Sequence, residues 1–593
     1  MRRQSLVLQI ILTLLSITFI ATSIRVANAA LPPSSSNAAF MQLADDYFDT
    51  FFFPENPSEA TQLGIHTYDD KLENYSKAGI NREIATLKKF EAKVNAINPA
   101  QLDEQTQGDR ELVLNEIRSQ LLSLQTIRLW EKDPDTYSTG ITNSAFVLMK
   151  RQFASANDRL RSLVAREKLM PAVLQEAHKN LKNPPKIYTE ITLEQLPGVV
   201  KFFQNDVPAA FVNANDEVLK KQFTETNAAV IKALMDYQAW LKKEVLPHSQ
   251  GDFRIGKTTF EKKLKYDEMV DTPLDKLIAL DMANMRQNQK EFARIAKEID
   301  PTKTPQQILA ALTSDHPAPE KLLDSFSAKF NNLIKFIQDK KIITIPSDVQ
   351  PIMEESPPFL RAITSASMDT PGPFEKTAKE AYFNVTLPDP TWSQQKINDF
   401  MTTFNYPSIS NTAVHEAYPG HYVQFLWLHQ VHDRIRQFLG ARTNAEGWAH
   451  YCEQMMLDEG LATPEYGVKD EREAKLMRLS ELVDALWRNA RFIVGIEMHT
   501  GQMTFDQAID FFVKEGYQSR TVGTMEAKRG TSDPTYLYYT LGKLQILKLR
   551  ADLQAKEGTA FNLQKFHDDF MRQGYPPIKI VRKALLHDDS PTL

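Results

Sequence analysis

The chain has 593 residues, room for about three to five domains or one large enzyme body. Hydrophobic residues make up 42% and charged residues 24%, which excludes a largely disordered chain, and only 21 glycines argue against a glycine-rich nucleotide-binding or all-β fold. The net charge of −5 comes without a basic stripe, so no nucleic-acid partner is expected, and a single cysteine, Cys452, excludes an intramolecular disulfide or a cysteine-rich metal centre.

Residues 1–29 read as a secretory signal peptide. Arg2 and Arg3 precede an apolar stretch from Leu6 to Ile24, and Ala27-Asn28-Ala29 supplies a cleavage pattern. An uncleaved membrane anchor is the alternative, since the stretch approaches the length of a short spanning helix. No cysteine stands near the cleavage point, so a lipid anchor is not expected. Cleavage would remove Arg2, Arg3 and Arg25 and no acid, lowering the charge by three to −8. The expectation is a secreted or periplasmic protein with no stable membrane insertion after cleavage.

Residues 30–38, rich in Pro, Ser and Asn, follow as a tether. Helical periodicity then dominates, and the expected fold class is mainly α: a large helical body with a few short β-strands near an active-site cleft. A helical N-terminal region over 39–345 and a catalytic C-terminal region over 346–593 are expected to form one compact body. Over 272–299, Thr272 is placed as N-cap with Pro273 at the first helical position, and Leu274, Leu277, Ile278, Met285, Phe292, Ile295 and Ile299 recur at helical spacing. Lys341–Pro346 and Ala381–Leu387 are the strand candidates, separated by a proline-rich stretch at 345–373 in which Phe359, Leu360 and Ile363 call for burial. Leu476, Leu479, Leu482, Val483, Leu486 and Ile493 define a helix over 473–499. Thr504 and Gln507 form a capping box for the next helix, with Gly516 available to end it.

Five of the 12 histidines fall between Val414 and Tyr451: His415, His421, His429, His432 and His450. In a zinc hydrolase H-E-x-x-H helix, two histidines four apart share a face and the glutamate reaches the metal's water. Here the second histidine is six along. Six residues of helix turn about 600°, leaving the two side chains about 120° apart. Pro419-Gly420 resolves this, because proline removes a backbone donor and glycine permits unusual dihedrals. The motif therefore works as a metal site only if the helix breaks there. Segment 422–439 reads as helix ended by Gly440, and Asn444 or Thr443 can cap the next one. Glu446 in its first turn is the favoured third ligand, completing a His415, His421, Glu446 set with an open position. Glu453, on the same face, is a competing ligand or a group behind the ligands. His450 could orient a ligand, contact substrate or lie on the surface. His429 and His432 are placed on an exposed face.

The paired motifs, H-E-A-Y-P-G-H-Y-V-Q (415–424) and E-G-W-A-H-Y-C-E (446–453), resemble the bacterial family known as domain of unknown function 885, which is grouped with the zinc metallopeptidases of the thermolysin-like superfamily. Phe52–His66 is similar to the family's opening segment, Arg491–His499 to its R-L-V-x-D-x-G-x-H helix, and Pro534–Arg550 to its P-x-Q-x-x-x-Y-x-x-G segment, with Tyr539 and Gly542 in register. The chain departs from the pattern at Gly495, Glu497 and Thr535.

The resemblance and the motifs together imply an exported zinc peptidase acting on short peptides. Zinc would lower the pKa of its water towards about 7. Glu416 would serve as general base and then return the proton to the leaving amine. Tyr539, by its register with the family, is the first candidate for oxyanion stabilisation and Tyr538 the fallback. Arg491, Arg529 and His499 are candidates for a substrate carboxylate. Strand 381–387 could add to an extended substrate at its edge, with Asn384 or Tyr382 facing the cleft. The competing readings are a non-catalytic binding protein on a peptidase scaffold and a zinc amidase or esterase.

Overall fold

The computed structural model describes residues 35–357, 361 and 364–593. The signal-peptide segment and Phe359, Leu360 and Ile363 lie outside the described residues. The described part of the tether is not one: Ser35 already opens helix α1 (Ser35–Tyr47). Phe40, Ala44 and Tyr47, three or four apart, are buried on one face and draw the preceding turn into the helix.

Helices follow almost without interruption, and those that shape the site are few. α2 (Glu104–Leu122) packs on α3 (Lys257–Glu268). α4 (Leu274–Ile299) has the expected buried positions Leu274, Leu277, Met285, Phe292 and Ile295. Its start differs, however: Pro273 occupies the N-cap with extended dihedrals, and Thr272 caps nothing. α5 (Leu322–Asp339) precedes a three-stranded sheet of order β1-β3-β2, with β1 (Ile352–Glu355) parallel and β2 (Ala366–Asp369) antiparallel to β3 (Tyr382–Val385).

The strand expected at 381–387 is thus the central one, and the strand expected at 341–346 does not form. Ile342 and Ile343 are buried, but the backbone around them bonds to side chains instead of a partner strand. His567 Nδ1 donates to Ile342 O at 2.7 Å, Thr344 N donates to Asp568 at 2.9 Å, and Trp427 Nε1 donates to Thr344 O at 2.9 Å. Satisfied in this way, the segment has no need of a ladder.

The C-terminal half supplies α6 (Tyr406–Glu416), α7 (His421–Leu428), α8 (Arg442–Asp458), α9 (Glu471–His499), α10 (Arg520–Ser532) and α11 (Tyr538–Glu557). α7 is shorter than the helix expected over 422–439. The chain turns after Leu428, and a new helix over Arg434–Phe438 is capped by the Asp433 carboxylate. The capping box of Thr504 and Gln507 is present, but the left-handed residue beyond that helix is Tyr517, not Gly516.

The apolar cores cross the 345/346 division. One cluster joins Phe326, Phe330 and Phe336 of α5 to Phe383, Tyr418, Trp448 and Phe570. Another joins Phe40, Phe48 and Ile117 to Ile435, Leu439 and Ile580. No described helix is long and apolar enough to cross a membrane.

α8 and α11 cross with their backbones in contact. A Cβ added at Gly447 would lie 2.5 Å from Gly542 Cα, and one at Gly542 would lie 1.9 Å from Thr443 O. The two backbones touch because neither residue has a side chain. Gly542→Ala should force the helices apart and cost about 1–3 kcal/mol, read as a lower midpoint in urea unfolding; an unchanged midpoint would show that the contact gives way freely.

Candidate metal centre

α6 ends at Glu416 and α7 begins at His421, so the helix breaks where the six-residue spacing requires. Between them, Tyr418–Pro419 is a cis peptide and Gly420 N donates to Val414 O at 3.0 Å. Gly420 packs directly on α6, where a Cβ would lie 1.8 Å from His415 O. Trp448 Nε1 of α8 donates to Pro419 O at 2.9 Å and ties the break to the helix that carries Glu446.

The result is a convergent cluster. His415 and His421 face each other edge to face at 4.9 Å. Their Nε2 atoms lie 3.5 and 3.4 Å from the same Glu446 oxygen. Ligand atoms of all three fall within 4.8 Å of one another, the only such group among the described residues. Two imidazoles and a carboxylate form a donor set suited to zinc. The histidines and the carboxylate also pair by charge. Burial opposes it, but bonds to Glu446 and Glu453 raise His415 to about 9. Burial likewise opposes ionisation of Glu446, yet the two histidines hold it well below the usual carboxylate range.

Glu453 stands behind the cluster. It accepts from His415 Nδ1 at 2.6 Å, which turns Nε2 towards His421 and Glu446. Glu453 also meets Arg488 at 3.0 Å, His450 Nδ1 at 3.3 Å and Asn411 at 3.1 Å. Asn411 bonds in turn to Asp484. His450 is therefore neither exposed nor in the open part of the site; burial and nearby Lys543 hold it neutral. Asn411, Asp484 and Arg488 were not anticipated. The available signal was spacing: Asn411 lies four before His415, and Asp484, Arg488 and Arg491 recur at helical steps opposite the apolar stripe of α9.

Glu416 lies beside the cluster and accepts from Met368 N of β2 at 3.0 Å. Burial raises its carboxyl above the ordinary value. Tyr539 stacks along His415, with ring centroids 6.4 Å apart, and Arg488 and Arg491 lie over its ring at 5.5 and 5.0 Å. Burial and then Glu446 raise its hydroxyl, keeping it protonated. Tyr538 is engaged elsewhere: it accepts from Arg442 and Arg529 and donates to Asp533 at 2.9 Å.

Three expected substrate contacts are corrected. Arg491 is buried in a two-point pair with Glu526 at 2.6 and 2.9 Å, so its fork is taken. His499 is buried at the end of α9, bonded through Nε2 to Gly530 O, and burial lowers it to about 4. Asn384 sits buried on the central strand, opposite Glu354 and Ser367, so β3 has no open edge to offer. Arg529 remains partly exposed near Tyr538 and Asp533.

α8 itself starts differently from expectation. Ala441 is its N-cap and has no capping side chain. Buried Glu268 of α3 acts in its place, accepting from Thr443 N at 2.9 Å and Thr443 Oγ1 at 2.6 Å. Asn444 instead donates to Pro576 O.

Fold and centre together define a mainly helical protein built around a His-His-Glu cluster at a helix break. The chain belongs to a family of bacterial proteins of unknown function, DUF885, whose model matches residues 57–585. Its fold is similar to that of a candidate lipoprotein of unknown function from Shewanella oneidensis, with 25% identity, a TM-score of 0.76, and 92% of this chain and 99% of that one covered. It is also similar to a candidate lipoprotein from Colwellia psychrerythraea at 17% identity and a TM-score of 0.76, covering 93% of this chain and 98% of that one. No curated protein matches the chain.

Two outcomes follow from these contacts. Glu453→Gln should weaken zinc binding about 10–100-fold in a competitive chelator titration; unchanged affinity would mean that Glu453 does not orient His415. Burial raises Glu268 to about 7, above its ordinary value of 4.5. Its stabilising contribution is thus full below the unfolded pKa and lost as pH rises through the folded one. Glu268→Gln should gain stability on the wild type between about pH 5 and about pH 8 in urea unfolding, and a constant difference would refute the raised carboxyl.

Proposed function

We propose that the chain is an exported zinc-dependent peptidase that hydrolyses short peptides. The observation that carries this reading is the convergence of His415, His421 and Glu446 with Glu416 beside them. Zinc held by those three residues would supply a Lewis acid that polarises the scissile carbonyl and activates water.

The protein's own groups have separable tasks. Glu416 takes the proton of the attacking water and delivers it to the leaving amine; its raised carboxyl brings it closer to the working range of a general base. Tyr539 offers a neutral hydrogen-bond donor to the developing oxyanion. Arg529, partly exposed, is the remaining arginine for a substrate carboxylate. Among the described residues β2 pairs only with β3, and it lies against Glu416 through Met368 N. Its outer edge, rather than β3, is where an extended substrate would add. Export to the periplasm or medium is supported by the leader-like first 29 residues and by two structural relatives described as candidate lipoproteins.

The test begins with metal. Purified protein should carry near-stoichiometric zinc that Glu446→Ala loses, while Glu416→Gln keeps zinc and loses about 10²–10⁴-fold in turnover of a peptide library. No metal in the wild type, even after zinc is added back, would end the hydrolase reading.

A further inference from the structure

Three helices meet beside the His-His-Glu cluster. α8 opens at Arg442, α10 carries Arg529 in its last turn and ends at Asp533, and α11 opens at Tyr538. Arg442 and Arg529 converge on one oxygen. The Tyr538 hydroxyl accepts from them at 3.0 and 3.2 Å and donates to Asp533 at 2.9 Å. Among the described residues, Asp533 is the one carboxylate that pairs with either arginine, at 3.6 Å from Arg442 and 3.5 Å from Arg529. Two guanidiniums thus share one acid, which leaves a positive charge in excess. Each guanidinium carries five N–H donors, and Tyr538 takes one from each. α8 and α11 both begin here, and the positive ends of their dipoles favour an anion further. Arg442 is exposed and, with Asp533, borders a cavity of about 520 Å³, so its fork faces open space.

Chain neighbours fix where this pair stands relative to the cluster. Arg442 lies one turn before Glu446, about 6 Å along α8. Tyr538 is followed by Tyr539, their rings 4.9 Å apart, and Tyr539 stacks along His415. Arg529 also lies against the Tyr539 hydroxyl. The other two arginines nearby are committed, Arg488 to Glu453 and Arg491 to Glu526. An extended peptide advances about 3.3 Å per residue, so an anion held by Arg442 and Arg529 sits about one or two residues from a carbonyl at the cluster.

We propose that Arg442 and Arg529 anchor the free C-terminal carboxylate of a peptide, which makes the protein an exopeptidase that releases one or two residues from that end. A planar carboxylate matches the guanidinium fork, and a peptide presents one at its end whatever its sequence. Water adds across the bond: its hydroxyl goes to the scissile carbonyl carbon and its proton to the amine of the released fragment. The exopeptidase assignment rests on the peptidase reading; the carboxylate anchor does not.

The probes for turnover are two pools of the same acetylated hexapeptides of mixed sequence, one with free C-terminal acids and one amidated. Mass spectrometry of digests by zinc-loaded wild-type protein should show the acids cleaved at least about tenfold faster, with one or two residues lost from the C-terminal end. Combining Arg442→Gln with Arg529→Gln should bring the ratio close to one by raising KM for the acids. Thermal unfolding checks that the combined variant is folded; if it is not, Arg442→Gln alone, at an exposed position, should lower the ratio. Equal cleavage of the pools, cuts far from the C-terminal end, or a ratio untouched by these substitutions would overturn the anchor. Cleavage of amidated peptides confined to sequences with Asp or Glu just past the cut would assign the arginines to an acidic side chain and overturn it as well. Binding separates the two proposals. Calorimetry on Glu416→Gln protein compares acetyl-Ala-Ala-Ala-Ala acid with its amide, and the acid should bind at least about tenfold tighter. If neither pool is cleaved while that preference holds and is lost in Arg442→Gln, the peptidase reading falls and the anchor stands. If acid and amide bind alike, the anchor falls whatever is cleaved.

Discussion

The structure depends on the contact between Gly420 and the backbone of His415. Without a Cβ, Gly420 lies against the carbonyl of the residue it must bring His421 to face. The chain thereby returns to the face of His415 within six residues, and His421 stands edge-on to His415 at 4.9 Å. Tyr418 anchors the break in the core against Phe330, and Trp448 holds Pro419 from α8. The same helix carries Glu446 and Glu453. One local irregularity thus fixes both histidines and couples them to the carboxylates opposite.

α8 reaches that position by an equally close approach on its other side, where Gly447 and Gly542 let α11 touch it and bring Tyr539 beside His415. Its first turn is held by Glu268 from the N-terminal half. Behind the cluster, Glu453 is met by His415, Arg488, His450 and Asn411. The short bond from His415 Nδ1 to Glu453 holds that ring's orientation in a low-dielectric interior.

Much of this was legible in the chain. The helix break, the three converging side chains and the position of Glu453 on the same face as Glu446 follow from spacing and from the backbone chemistry of Pro419-Gly420. Mainly helical architecture followed from periodicity, and residues 382–385 from β-branched and aromatic content. Errors arose where tertiary partners replaced local ones. The 341–346 segment found its hydrogen bonds in His567, Asp568 and Trp427. α8 took its cap from Glu268, far along the chain. Arg491 read as a free fork because Glu526, 35 residues away, was invisible as its partner.

The sequence by itself determined which groups can bind a metal and that a break must lie between them, because residue chemistry and helical pitch are local properties. The tertiary structure alone decided which arginines, histidines and carboxylates remain available. It placed Asn384 in the middle of the sheet, His499 against a backbone carbonyl and Arg491 against Glu526. Whether a charged side chain is spent on structure or left open to a ligand depends on partners brought from distant segments, and no local pattern records those.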